Sequence, residues 1–211
     1  MDAAFWHERW RTGRTAFHQE AGNPLFRAHF PELAPPEGGR VFLPLSGKAG
    51  EIPWLLGHGY RVAAAELDLS AVEQLFRGLG VTPTSRDVGA LRHFAADGID
   101  VYQGDVFDLT SDMLGSVDLA YDRAALVALP LEVRARYAAH IRALIGGRRQ
   151  MLVTFEYDQS MADGPPFSVG APEVMRHYGS AYRIVRVEAR AARLPGVSDV
   201  TEVLWSLTPR S

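Results

Sequence analysis

Residues 40–68 read RVFLPLSGKAGEIPWLLGHGYRVAAAELD. This stretch contains two apolar runs of strand length, Arg40–Leu45 and Arg61–Leu67. Between them lies a helical pattern, Ala49–Leu56, which ends at the helix-stopping sequence Gly57-His58-Gly59. A strand, a helix and a second strand in this order predict two parallel strands joined by a right-handed crossover. The stretch therefore indicates an α/β protein built on a parallel sheet.

The alternation of strands and helices continues along the chain. Ser70 is predicted to begin the next helix, which runs to Gly78, and Glu73 completes a capping box with it. Further strands are predicted at Ile99–Gln103, Val117–Tyr121, Gln150–Phe155, Arg183–Ala191 and Val200–Thr208, and further helices at Phe5–Trp10, Pro24–Phe30, Leu131–Ile145 and Pro172–Tyr178. The last two strands are expected to pair antiparallel. Residues 79–98 are less regular, and we expect an insertion there with a short strand or helix around Leu91–Ala95.

The composition argues against several classes of protein. The chain has 211 residues, no cysteine and a formal net charge of -3. Without cysteine there are no disulfides, no thiolate metal ligands and no thiol nucleophile, and the histidines lack the spacing of common metal motifs. The slight acidity disfavours a nucleic-acid or anionic-membrane binder. The N-terminus shows no signal-peptide pattern and the apolar runs are too short to cross a membrane, so we expect a metal-free cytoplasmic protein.

Small or polar residues gather where the predicted strands end, which is where open α/β sheets bind ligands. These positions are Ser46-Gly47, Glu66, Gly104-Asp105 and Asp122-Arg123. Glu66 is typical of an acceptor for ribose hydroxyls, whereas Asp68 suits a residue at a helix N-terminus. The first turn contains neither G-x-G-x-x-G nor a P-loop, which disfavours a bound pyrophosphate. Gly47 either lets a ligand approach the backbone or simply closes a tight turn.

Two further features leave alternatives open. Trp6 and Trp10 form either an aromatic wall over a ligand or part of a packed core. Arg123 follows an apolar strand, where a guanidinium either binds an anion or pairs with a carboxylate such as Asp122. The sequence has no G-x-S-x-G elbow, so it gives no support to a hydrolase triad.

Several blocks of sequence, in order, resemble the thiopurine S-methyltransferases, especially the bacterial members. The blocks are FWHERWRTGRTAFHQEAGNP at 5–24, VFLPLSGKAGEIPWLLGHGYRV at 41–62, AELDLSAVEQLF at 65–76, GDVFDL at 104–109, YDRAALVALP at 121–130 and EYDQSMADGPPFSV at 156–169. The likeness runs from the N-terminus to about residue 170 and is weak over residues 171–211.

The resemblance implies a class I S-adenosylmethionine-dependent methyltransferase. Its expected fold is a single α/β domain over residues 1–211: a seven-stranded, mostly parallel Rossmann-like sheet with helices on both faces and an antiparallel C-terminal strand. Residues 1–36 would form an N-terminal helical cap over the cofactor site. The implied cofactor is S-adenosyl-L-methionine, the implied partner is a small-molecule thiol, and we expect a monomer.

The resemblance also implies roles for particular residues. Cofactor contacts carry over onto Trp6, Trp10, Leu45, Gly47, Glu66, Asp105, Val106 and Arg123. Acceptor contacts carry over onto Phe17, Pro166 and Phe167, and Arg123 is the expected catalytic residue. The family's usual P-L-C-G-K appears here with Ser46 in place of cysteine, and we expect cofactor binding to survive because serine keeps the size. An acceptor-side arginine of the family corresponds to Arg190 or Arg193.

The implied reaction is transfer of a methyl group to the sulfur of a thiopurine or other heteroaryl thiol, leaving S-adenosylhomocysteine. One alternative keeps the site and changes the acceptor to a selenium or tellurium oxyanion, thiocyanate or halide. An alternative of another class is an NAD-binding oxidoreductase, which the missing G-x-G-x-x-G disfavours. A non-catalytic nucleotide-binding module is the remaining alternative.

Overall fold

The computed structural model describes residues 3–15 and 18–210. The chain divides into two compact units, Asp2–Leu119 and Ala120–Ser211. Within the described residues, no helix is long and apolar enough to cross a membrane.

The first unit combines five helices with five strands among the described residues. Its helices are α1 (Ala3–Arg11), α2 (Pro24–Leu33), α3 (Glu51–Gly57), α4 (Leu69–Leu79) and α5 (Ser111–Leu114), and its strands are β1 (Arg40–Leu43), β2 (Arg61–Glu66), β3 (Thr84–Val88), β4 (Leu91–Ala96) and β5 (Ile99–Gln103). The strand order is β3-β4-β5-β2-β1. β2 pairs parallel with both β1 and β5, which confirms the predicted β-α-β unit. Every residue of β2 except Arg61 is buried.

The helix ends follow local side-chain chemistry. Asn23 caps α2, and its side-chain oxygen accepts a hydrogen bond from the Leu25 amide at 2.8 Å. The predicted cap of α4 at Ser70 is wrong, because Asp68 has the extended backbone of an N-cap and accepts from the Ser70 and Ala71 amides. Ser70 is instead the second residue of the helix. A carboxylate in this position also interacts favourably with the helix dipole.

Residues 79–98 contain a β-hairpin that the sequence pattern did not predict in full. β3 and β4 pair antiparallel, and β4 pairs antiparallel with β5. The described residues therefore form nine strands, and the expected number of seven is wrong. β3 escaped prediction because its first four residues are all exposed, so it has no apolar and polar alternation.

The second unit has four strands and two α-helices in its described part. Its elements are β6 (Leu119–Arg123), which begins at the boundary, α6 (Leu131–Leu144), β7 (Arg149–Glu156), α7 (Ala171–Tyr178), β8 (Tyr182–Ala191) and β9 (Thr201–Pro209). The strand order is β6-β7-β9-β8. β9 runs antiparallel to both β7 and β8, which confirms the predicted antiparallel end of the chain. Four buried tyrosines contribute to this unit's core: Tyr121, Tyr137, Tyr178 and Tyr182.

Candidate functional site

Glu66 lies at the carboxyl end of β2 and is buried, with 6% of its surface exposed. Its Oε2 accepts a hydrogen bond from the Gly47 amide at 2.7 Å, and its Oε1 accepts one from the Asp68 amide at 2.8 Å. Burial raises the pKa of Glu66 from 4.5 to about 7, against the lowering effect of these amides. A carboxylate has about four lone-pair sites, so the hydrogen bonds from the Gly47 and Asp68 amides and a weaker one from Leu67 leave Glu66 with acceptor capacity for a ligand.

The turn after β1 brings its backbone close to this carboxylate. Leu45 and Gly47 both have positive φ, at 48° and 54°. The Ser46 amide donates to the Ala65 carbonyl at 2.9 Å, which ties the turn to β2. The turn therefore holds the Gly47 amide in a fixed direction beside the end of β2.

Trp10 of α1 packs against the same turn. A Cβ added at Gly47 would lie 2.9 Å from the Trp10 ring, which is closer than real Cβ contacts. Trp10 is 6% exposed, so it is both a core residue and a wall of the turn. Trp6, by contrast, is half-buried and packs edge-on against Phe5 with ring centroids 5.2 Å apart.

The end of β5 meets the end of β2. The Gly104 amide donates to the Glu66 carbonyl at 2.9 Å. Asp105 then caps a short 3-10 turn by accepting from the Phe107 amide at 3.0 Å, and Val106 in that turn is buried. The structure thus gathers five predicted positions, Trp10, Leu45, Gly47, Glu66 and Asp105, around neighbouring strand ends within the first unit.

The sequence reasoning missed one residue of this region, His7. Its Nδ1 lies 2.6 Å from Oδ2 of Asp68. The two residues are 61 positions apart, so no local spacing links them. The available signal was that His7 and Trp10 are three apart and share a helix face.

In the second unit, Arg123 is the last residue of β6 and is half-buried. The neighbouring Asp122 is fully buried and accepts from the Tyr137 hydroxyl at 2.8 Å and the Leu126 amide at 3.1 Å. Burial raises the pKa of Asp122 from 3.8 to about 6, although these donors lower it. These bonds fix the turn that follows Arg123.

The predicted acceptor loop also belongs to the second unit. The Phe167 amide donates to the Val127 carbonyl at 2.7 Å, and the Tyr157 hydroxyl donates to the Pro166 carbonyl at 2.6 Å. The Arg134 guanidinium lies 5.1 Å from the centre of the Phe167 ring. Contacts with Val127, Tyr157 and Arg134 therefore fix the loop in place.

The three remaining predicted positions are Phe17, Arg190 and Arg193. Phe17 lies outside the described residues. Arg190 forms an ion pair with Glu202 at 2.6 Å, so its guanidinium is engaged by the neighbouring strand. Arg193 is exposed.

Comparison with solved structures identifies the fold. A SAM-dependent methyltransferase from Anabaena variabilis matches with a TM-score of 0.72 at 13% identity, covering 99% of this chain and 95% of that one. A Burkholderia thailandensis 1,6-didemethyltoxoflavin-N1-methyltransferase, solved with its acceptor and S-adenosylhomocysteine, matches with a TM-score of 0.68 at 17% identity, covering 99% and 87%. The chain therefore has the fold of the S-adenosylmethionine-dependent methyltransferases.

Comparison of the sequence with known proteins identifies the family. The model of the family described as thiopurine S-methyltransferase (TPMT) matches residues 1–208. A thiopurine S-methyltransferase of Xanthobacter autotrophicus is 48% identical over 98% of this chain and 99% of its own length. One of Gluconobacter oxydans is 44% identical over 99% and 96%. The chain belongs to the thiopurine S-methyltransferase family.

The residues around Glu66 fit the cofactor that this class uses. A buried carboxylate with spare acceptor capacity suits the two hydroxyls of a ribose. A positive-φ turn with a glycine lets a ligand lie against the backbone, and the Trp10 ring supplies an apolar wall beside it.

Proposed function

We propose that the protein transfers the methyl group of S-adenosylmethionine to the sulfur of a thiopurine or a related heteroaryl thiol. The observation that carries the proposal is membership of the thiopurine S-methyltransferase family over residues 1–208. The buried Glu66 carboxylate at the end of β2 supports the cofactor part of it.

In this proposal the first unit holds the cofactor. Glu66 accepts hydrogen bonds from the ribose hydroxyls, and the Leu45–Gly47 turn lies against the amino-acid end. Trp10 and Trp6 cover the cofactor. Asp105 and the 3-10 turn that it caps, which contains Val106, lie beside the adenine. When bound, S-adenosylmethionine supplies a methyl group on a positively charged sulfur.

The acceptor needs little general-base catalysis from the protein, because heteroaryl thiols are acidic and are partly ionised at neutral pH. The residues then act mainly by orienting the acceptor and excluding water. We assign Arg123 to the anionic sulfur or to the cofactor carboxylate, either of which a guanidinium stabilises. Phe17, Pro166 and Phe167 are assigned to the acceptor's rings.

We further propose that residues 1–36 act as a cap on the cofactor site and that the chain works as one methyltransferase domain. The packing of Trp10 on Gly47 supports the cap. The family match over residues 1–208 supports the single working domain.

The direct test is transfer of a labelled methyl group from S-adenosylmethionine to 6-thioguanine and to a panel of other acceptors. Methylation of the thiopurine is the expected result. Methylation of selenite, tellurite, thiocyanate or iodide with the thiopurine left unchanged would overturn the acceptor assignment. A thermal-shift measurement should show stabilisation by S-adenosylhomocysteine, and stabilisation by NAD alone would overturn the cofactor assignment.

A further inference from the structure

Helix α1 is too short to hold its position by itself. It has 9 residues, and isolated helices of this length are marginal in water. Its first turn has no acidic residue to interact with the helix dipole. Its place beside the 45–47 turn therefore depends on contacts that its side chains make with the rest of the first unit.

Two side chains on one face of α1 make such contacts. Trp10 places its ring 2.9 Å from the position that a Cβ at Gly47 would take. His7, one helical turn earlier, places Nδ1 2.6 Å from Oδ2 of Asp68. The His7 side chain is 49% exposed and that of Asp68 is 10% exposed, so the contact forms at the edge of a largely buried carboxylate.

Asp68 is a rigid anchor for His7. Its Oδ1 accepts from the Ser70 amide at 2.9 Å, from the Ser70 hydroxyl at 2.5 Å and from the Ala71 amide at 3.3 Å. Burial raises the pKa of Asp68, but the hydrogen bonds from Ser70, His7 and Ala71 outweigh burial, and the pKa is lowered from 3.8. Asp68 is therefore an ionised acceptor whose orientation the start of α4 fixes.

The anchor is also part of the proposed cofactor site. The Asp68 amide donates to Oε1 of Glu66 at 2.8 Å, and Oε2 of Glu66 accepts from the Gly47 amide at 2.7 Å. His7 thus attaches α1 next to the carboxylate assigned to the ribose. Trp10 attaches the same helix to the turn assigned to the amino-acid end.

We propose that His7 is a positioning residue for methyl transfer, because its contact with Asp68 latches α1, and with it Trp10, over the cofactor turn. This inference rests on the proposed function. The latch sets the fraction of molecules in which Trp10 is in place, and apparent cofactor affinity scales with that fraction. Removing one hydrogen bond to a carboxylate should weaken cofactor binding about 3- to 10-fold.

The test compares three variants with the wild type. His7→Ala removes the contact, and His7→Asn keeps an N–H donor near the position of Nδ1. Glu8→Gln is the matched control, because Glu8 is on the same helix and pairs with Arg11 at 2.6 Å rather than with α4. Calorimetry gives the Kd for S-adenosylhomocysteine, and initial rates with 6-thioguanine give kcat and the KM for S-adenosylmethionine. Circular dichroism and Tm verify that each variant is folded.

We expect His7→Ala to raise Kd and KM by the stated factor while kcat at saturating cofactor stays within about twofold. His7→Asn should restore part of the affinity, and Glu8→Gln should match the wild type. An unchanged Kd in folded His7→Ala, or an equal loss in Glu8→Gln, would overturn the latch. Failure of the wild type to bind S-adenosylhomocysteine would refute the proposed function, and the latch with it; wild-type binding with no effect of His7→Ala refutes the latch alone.

Discussion

The Gly47 amide donates a hydrogen bond to Oε2 of Glu66 at 2.7 Å. One buried carboxylate therefore joins the turn after β1 to the end of β2. The same carboxylate is the group that we assign to the ribose. A change in its protonation should affect both the local structure and cofactor binding.

Cofactor binding should depend on pH through Glu66. Burial raises its pKa to about 7, and ribose hydroxyls donate more strongly to the ionised form than to the neutral acid. The affinity for S-adenosylhomocysteine should therefore rise between about pH 6 and 8, with release of a proton on binding. Calorimetry in two buffers of different ionisation enthalpy measures both effects. Glu66→Gln should lower the affinity at pH 8 and remove most of the pH dependence, and a wild-type affinity in this variant would refute the ribose role.

Glu66 should also make stability depend on pH. Its pKa is raised in the folded state from 4.5 to about 7, so the folded protein binds more protons than the unfolded chain in that interval. The free energy of unfolding should consequently be highest at the acidic end of the interval and fall as pH rises to about 7, by at most about 3 kcal/mol. Asp122 acts in the same direction between 3.8 and about 6. Urea unfolding at pH 5 and pH 7.5 should show a smaller difference in Glu66→Gln than in the wild type.

Gly47→Ala should weaken cofactor binding. Gly47 has φ of 54°, and an added Cβ would lie 2.9 Å from the Trp10 ring. A left-handed alanine costs about 1–2 kcal/mol, and the Trp10 ring must also move. We expect an increase in the Kd for S-adenosylhomocysteine of about tenfold or more. The control is Gly57→Ala at the end of α3, where an added Cβ meets nothing within 4 Å; equal affinities in the two variants would contradict the role of the turn.

Arg123→Ala should lower kcat/KM with a thiopurine acceptor by about 10²-fold, as loss of a charge-stabilising donor does. Arg123→Lys should recover only part of the activity, because lysine keeps the charge but not the planar fork. Arg142→Ala, on the exposed side of α6, is the control. An unchanged kcat/KM in Arg123→Ala would remove Arg123 from the proposed mechanism.

Ser46→Cys should change the rate by less than about twofold. Among the residues that the structure describes, the Ser46 hydroxyl makes one long contact, 3.4 Å to the Gly47 carbonyl, whereas the bond that holds the turn comes from the Ser46 amide. The substitution keeps the side chain's size and leaves that amide in place. Steady-state rates at saturating cofactor test this expectation, and a gain of more than about tenfold would mean that the thiol has a role of its own.

Arg134→Met should destabilise the second unit and loosen the Phe167 loop. Arg134 is 3% exposed, pairs with Glu173 at 2.9 Å and donates to the Leu129 carbonyl at 2.8 Å. Breaking a buried ion pair typically costs about 3–5 kcal/mol, and we expect the lower end because Glu173 keeps some exposure. Thermal unfolding measures the loss. The exposed Arg176→Met on α7 should leave Tm nearly unchanged, and an equally small effect of Arg134→Met would show that the pair contributes little.

The sequence alone determined the β-α-β core and the positions of the strand ends. The runs that become β1 and β2 have continuous apolar character, which is a local signal of buried parallel strands. Because ligand sites in such sheets lie beyond the carboxyl ends of strands, the sequence alone indicates Glu66 and Arg123 as candidate site residues. The family blocks then supplied the nature of the ligand.

Other features were decided only by the tertiary structure. The β3 strand was not predicted because its first four residues are exposed, so pairing with β4 is what makes it a strand. Periodicity within a segment cannot encode a strand of this kind.

The raised pKa of Glu66 and the contact of His7 with Asp68 also depend on the tertiary structure. The first requires burial of a carboxylate, and the second joins residues 61 positions apart. Both arise when separate segments pack together and exclude water. The sequence specified which chemical groups the site would have, and the tertiary structure determined their protonation and their partners, because desolvation and long-range contacts exist only in the folded chain.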